Sequence, residues 1–178
     1  MKKITFILFA LIAGTTFAQQ ETYTATDGAS ASAEIIQPIT ITKTTDLNFG
    51  RIIGNFAGGE VTLSTAGARG GDADLLDMSS LGTTGISAAE FTITAASGYS
   101  YTIQYPETLL IGTTDQMLVT FEYLYGTTAI DATANPISYS GAGTAGGETL
   151  KIGGTLDVNG EQAEGSYSAD FDVTVTYE

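Results

Sequence analysis

The strongest constraint on the fold is a period of two. In YSADFDVTVTYE, residues 167–178, Tyr167, Ala169, Phe171, Val173, Val175 and Tyr177 fall on one parity, and Ser168, Asp170, Asp172, Thr174, Thr176 and Glu178 on the other. Successive side chains of a β-strand point to opposite faces, so this stretch predicts a half-buried strand with an apolar face inward and its acids in water. A strand of that length needs a neighbour, because an open row of N–H and C=O groups is a template for pairing with any other chain. Its expected neighbour is the early strand around Ile39 and Ile41 or the run at 150–158. The question is whether its remaining side is filled by this chain or by another.

The same period recurs upstream. From Glu34 onward, short alternating runs are separated by Gly, Asn, Asp and Ser, and none keeps a helical period. Strands are predicted over 34–43, with Ile39 and Ile41 facing one way, and over 47–53, with Leu47, Phe49 and Ile53 together. Val61 and Leu63 make a short strand. The runs 89–95 and 99–105, separated by Ser97-Gly98, predict a β-hairpin. Residues 117–125 align Met117, Val119, Phe121, Tyr123 and Tyr125, and residues 150–158 align Leu150, Ile152, Leu156 and Val158. Residues 70–85 read as a loop or a short helical turn, and 127–147 as a long Gly-rich loop or an irregular hairpin. Seven or more strands with turn signals at short intervals point to an all-β sandwich of two antiparallel sheets, with a closed barrel as the alternative.

The first eighteen residues belong to a different pattern. Lys2 and Lys3 precede an apolar run from Ile4 to Ala13, and Thr16-Phe17-Ala18 supplies small residues for a signal peptidase. The run is too short to span roughly 30 Å of hydrocarbon, so residues 1–18 read as a cleaved signal peptide and not as an anchor. The expected product is exported to the periplasm, cell surface or medium and makes no stable membrane insertion. It has a polar extension at 19–33 and a single domain at 34–178.

Removing residues 1–18 leaves 160 residues with four basic and twenty acidic side chains, a formal charge of −16. Lys43, Arg51, Arg69 and Lys151 make no patch able to neutralise a run of phosphates, which argues against a nucleic-acid partner. The chain has no Cys and no His. A disulfide framework is therefore excluded, as are Ser-His-Asp and Cys-His nucleophiles and the ligands typical of catalytic zinc.

Three groups of side chains come forward as candidates. Asp72, Asp74 and Asp77 cluster in a Gly-flanked segment as calcium ligands would, but without the glycine and terminal glutamate of an EF-hand loop. Asp170 and Asp172 are a conspicuous carboxylate pair, and carboxylate pairs cleave glycosides. On the outer face of a strand they act more simply, as charges that discourage aggregation. Tyr99, Tyr101, Tyr105, Tyr123 and Tyr125 share the inward parity of their strands and are expected in the core. Gly58-Gly59 and Gly153-Gly154 read as turns or bulges. No residue is assigned a catalytic, cofactor-binding or metal-binding role.

The order of ITITKTTDLNFG, then LKIGGTLDV, then YSADFDVTVTY resembles a bacterial exported domain family of unknown function related to spore coat protein U and to fimbrial, pilin-like subunits. That resemblance implies an immunoglobulin-like sandwich with a structural or adhesive role. Its partners would be copies of itself or another subunit, joined by β-strand addition. Two features depart from the relatives: this chain cannot form their disulfide, and the 19–33 extension offers Tyr23, Ala25, Asp27, Ala29, Ala31 and Ala33 where a pilin donor strand carries large apolar residues. Alanines bury little compared with the ~1.5–3 kcal/mol of a fully buried Val, Leu, Ile or Phe. The expected function is a non-enzymatic exported structural or adhesive subunit. The alternative is a monomeric extracellular module that binds a glycan or calcium.

Overall fold

The computed structural model describes residues 23–77, 79, 82–130, 138–144 and 146–178. Residues 1–22, which include the expected signal peptide at 1–18, lie outside them. The chain divides into two units, 1–34 and 35–178. In the first, the described residues 23–34 form neither helix nor strand, and each is exposed.

The second unit is an antiparallel β-sandwich, and among the described residues its sheets do not close into a barrel. The strands are β1 (Thr40–Thr45), β2 (Gly59–Leu63), β3 (Arg69–Gly71), β4 (Ala89–Thr94), β5 (Ser100–Gln104), β6 (Thr108–Ile111), β7 (Met117–Tyr125), β8 (Thr128–Ile130), β9 (Ser138–Ala142), β10 (Glu148–Val158) and β11 (Thr174–Tyr177), with a 3₁₀ turn at Ala73–Leu75.

The larger sheet is organised around β10. One flank of β10 pairs with β7 from Leu150↔Tyr125 to Asp157↔Leu118. Its other flank pairs first with β4, as far as Ile152↔Ala89, and then with β2, from Gly154↔Leu63. Gly153 stands at that change of partner, where a Cβ would collide with the Leu63 carbonyl. β1 adds to β4, β3 to β2, and β6 and β8 to the far edge of β7. The smaller sheet is β11–β5–β9.

The inner faces follow the sequence parity closely. Val61, Leu63, Leu75, Ile103, Leu150 and Ile152 are fully buried, and in β7 Met117, Val119, Phe121, Tyr123 and Tyr125 are buried while Leu118, Thr120 and Glu122 between them are exposed. Outside, Thr62, Thr155, Thr120 and Thr108 stand directly opposite one another across β2, β10, β7 and β6. Threonine suits this water-facing position because its branched Cβ fits the pleat and its hydroxyl stays solvated.

The structure corrects four expectations. The runs around Ser97-Gly98 are not a hairpin: both edges of β4 are taken by β1 and β10, and both edges of β5 by β11 and β9, so the turn carries the chain from one sheet to the other. LNFGRII is not a strand. It makes only the isolated bridges Asn48↔Ser87 and Ile52↔Leu76, because Gly50 sits at φ +78° and the carbonyls on either side of it point to another partner. Phe49 is buried as expected, but Ile53 is half exposed. The segment 127–147 is not one long loop where it is described: β8 folds back on β7 as a hairpin, and β9 joins β5. Tyr99 is not in the core; it lies 36% exposed, edge-on to Tyr177.

Candidate functional site

The closing stretch is where structure and sequence differ most usefully. Only Thr174–Tyr177 of the predicted strand is laddered, and its partner is β5, from Tyr177↔Tyr101 to Thr174↔Gln104, in place of either expected neighbour. The next positions in that register would set Val173 beside Tyr105 and Asp172 beside Pro106. Proline has no N–H to give a ladder. Its carbonyl is taken as well, by the Tyr123 hydroxyl. The chain then leaves the small sheet: the Glu107 carbonyl accepts the Phe121 N–H, and β6 joins β7. β5 therefore stops offering partners just where the terminal segment still needs them.

Residues 169–173 keep their side-chain anchors without a ladder. Phe171 packs at 4.9 Å from Phe121 and 6.4 Å from Phe91, centroid to centroid. Phe171 and Val173 are half-buried, and Ala169, Asp170 and Asp172 are exposed. The segment is tied again at Ser168, whose carbonyl accepts the Gly112 N–H at 3.2 Å. Between that contact and Thr174, no backbone hydrogen bond joins 169–173 to any described residue. Alongside runs a groove of about 420 Å³, with Tyr105, Pro106 and Leu109 on one wall and Asp170, Phe171 and Asp172 on the other.

On the opposite side lies the start of the large sheet. The Tyr177 hydroxyl donates to the Gln37 carbonyl, which precedes β1. Lys43 of β1 is bridged to Asp46, whose hydrogen bond and charge raise its pKa, with a smaller contribution from Asp170.

The remaining candidates are used locally. The Asp72 carboxylate accepts the Glu60 N–H at 2.9 Å, and that of Asp77 accepts the Ser79 N–H at 2.9 Å. Hydrogen bonds from Ser79, and more weakly Arg51 and Arg69, hold the Asp77 carboxyl below its usual range. Asp74 lies exposed in the 3₁₀ turn between them. Among the described residues, no three Asp, Glu, His or Cys side chains converge. Tyr101, Tyr105, Tyr123 and Tyr125 are in the core, the Tyr101 and Tyr125 hydroxyls bonded to each other.

Sequence reading counted Arg69 only as one of four scattered bases and gave it no structural role. Its guanidinium donates to the carbonyls of Phe49, Arg51, Gly82 and Asp77 at 2.6 to 3.1 Å, binding the 47–53 segment to the loop after the 3₁₀ turn. It also missed Pro106, although a proline closing the run 99–105 was the available signal.

A family model described as Domain of unknown function (DUF4402) matches residues 39–177. The chain belongs to this family. The matched stretch opens one residue before β1 and closes on the last residue of β11, so the family's common part is the sandwich, groove included, and the 19–33 extension lies outside it. No curated protein and no solved structure matches the chain. Among the described residues, no helix is long and apolar enough to cross a membrane.

Proposed function

We propose that this chain is an exported, non-enzymatic structural or adhesive subunit that assembles by β-strand addition, and that residues 169–173 are the accepting edge. One observation carries this reading: a segment whose Phe171 and Val173 side chains pack against the core has backbone donors and acceptors that no ladder among the described residues satisfies. An added strand would pair with that backbone and extend the small sheet, the usual way an extended peptide joins a sheet edge. The resemblance of the first and last strands to fimbrial subunits supports the same role, as does a composition without the histidine or cysteine of common nucleophilic sites.

Backbone amide exchange tests it. The protein is mixed with extended peptides of alternating apolar and polar residues, and exchange at 169–173 is followed. Slowing confined to these amides and their immediate neighbours is expected. Exchange unchanged with every peptide, at concentrations up to solubility, rules the edge out.

A further inference from the structure

Resting on the strand-addition reading, we propose that the groove takes an extended segment of a different protein, one carrying Lys or Arg on alternate residues, and not a segment of a second copy of this chain. A strand laid along 169–173 places alternate side chains on the outer face, directly across from Asp170 and Asp172, which both line the groove. Opposite charges at facing positions of neighbouring strands attract, and like charges there repel. Lys43, whose charge reaches Asp170 weakly, is already bridged to Asp46. The outer positions of an incoming strand therefore favour cations, while its inner positions meet Tyr105, Phe171 and Leu109 and favour small or apolar residues.

The chain's own 19–34 segment has the wrong chemistry in either orientation. Residues 19–34 carry Glu21, Asp27 and Glu34 and no base. Turning the alanine parity inward brings Asp27 with it toward the apolar floor, where an unpaired carboxylate is costly to desolvate. Turning the other parity inward puts Thr24, Thr26, Ser30 and Ser32 there and leaves the alanines in water. Two copies at −16 each also repel at long range. Charge and parity thus both select a foreign, basic strand.

The test uses the chain from residue 19 onward and three synthetic peptides: one alternating Val and Lys, one alternating Val and Glu, and one copying residues 19–34. Affinity is measured by calorimetry, and amide exchange is followed at 169–173. The Val-Lys peptide is expected to bind and slow these amides, and the Val-Glu peptide to bind at least tenfold more weakly. The Asp170→Asn/Asp172→Asn variant, exposed positions whose change leaves the melting temperature in place, is expected to lose roughly tenfold in affinity for the Val-Lys peptide. Its binding to Val-Glu would not weaken. If residues 19–34 protect 169–173 as well as Val-Lys does, the foreign-partner inference is overturned and strand addition stands. If Val-Lys binds the variant undiminished, its attraction is to overall charge and the inference is likewise overturned. If no peptide protects these amides, the strand-addition reading falls with it.

Discussion

The hydroxyl of Tyr177 sits between two backbones, donating to the Gln37 carbonyl at 2.8 Å and accepting the Ala96 N–H at 2.6 Å. One phenol in the small sheet thereby fixes the entry to β1 and the exit from β4 in the large one. Tyr177→Phe keeps the ring contact with Tyr99 but orphans a part-buried N–H, a loss expected to cost about 1–3 kcal/mol. Urea unfolding reads it directly, and a midpoint equal to that of the parent would show that water replaces the hydroxyl freely.

Arg69 gathers four carbonyls with one planar cation, a geometry that an ammonium cannot copy. Arg69→Lys is expected to lose about 1.5–3 kcal/mol, and Arg69→Met more, because the carbonyls of Phe49 and Arg51 are left without their donor. The slope of the denaturation curve should stay unchanged, since the same surface unfolds. Exchange rates for residues 47–53 and 77–85 should rise together; if only one segment responds, the guanidinium is not what joins them.

Alkaline pH attacks the tyrosine core. Burial, assisted by neighbouring Tyr105, pushes the Tyr123 phenol far above its usual range. The folded state thus holds this proton after the unfolded chain has released it near pH 10, so its contribution is complete below pH ~10 and falls above it. The expected slope is up to about 1.4 kcal/mol per pH unit for this group. Urea titrations between pH 9 and 11.5 should show it for the parent, and Tyr123→Phe should flatten it while lowering stability at neutral pH through the uncapped Pro106 carbonyl. An alkaline limb of the same slope in the variant would assign the effect to other tyrosines.

In the protein alone, the amides of 169–173 should exchange through small local openings, while those of β7 and β10 wait for global unfolding. The difference spans most of the total stability, typically ~5–15 kcal/mol for a domain. Exchange mass spectrometry with overlapping C-terminal peptides resolves 169–173 from 174–177. Equal protection across that boundary contradicts the loss of pairing at Pro106.

Much of the sandwich was legible because its inner faces obey a strict period of two. β7 and β10 read off directly, since Met117, Val119, Phe121, Tyr123 and Tyr125 in one and Leu150, Ile152, Leu156 and Val158 in the other keep a single parity. β6 did not, because Leu110 faces outward opposite Leu118 and makes TLLI look continuously apolar. β9, SYSGA, was lost among glycines. The Ser97-Gly98 turn misled because local turn chemistry is the same whether the flanking strands pair with each other or diverge into facing sheets. The candidate site was half legible: the parity of 167–178 located its half-buried side chains, whereas the ladder's end depends on Pro106, sixty-odd residues away, and on a register that only the folded chain defines.

The position of β10 in the order of the chain sets a limit on how this fold can be assembled. Without residues 148–158, the remaining pairs of the large sheet fall into three separate pieces, β1–β4, β2–β3 and β6–β7–β8, with no ladder among the described residues linking one to another. None of these scraps buries both faces. A nascent chain emerging from its N-terminal side therefore has no scaffold to collapse onto until that strand arrives, so its collapse is late, long-range and slow. Until then, nothing holds the larger sheet of such a polypeptide together.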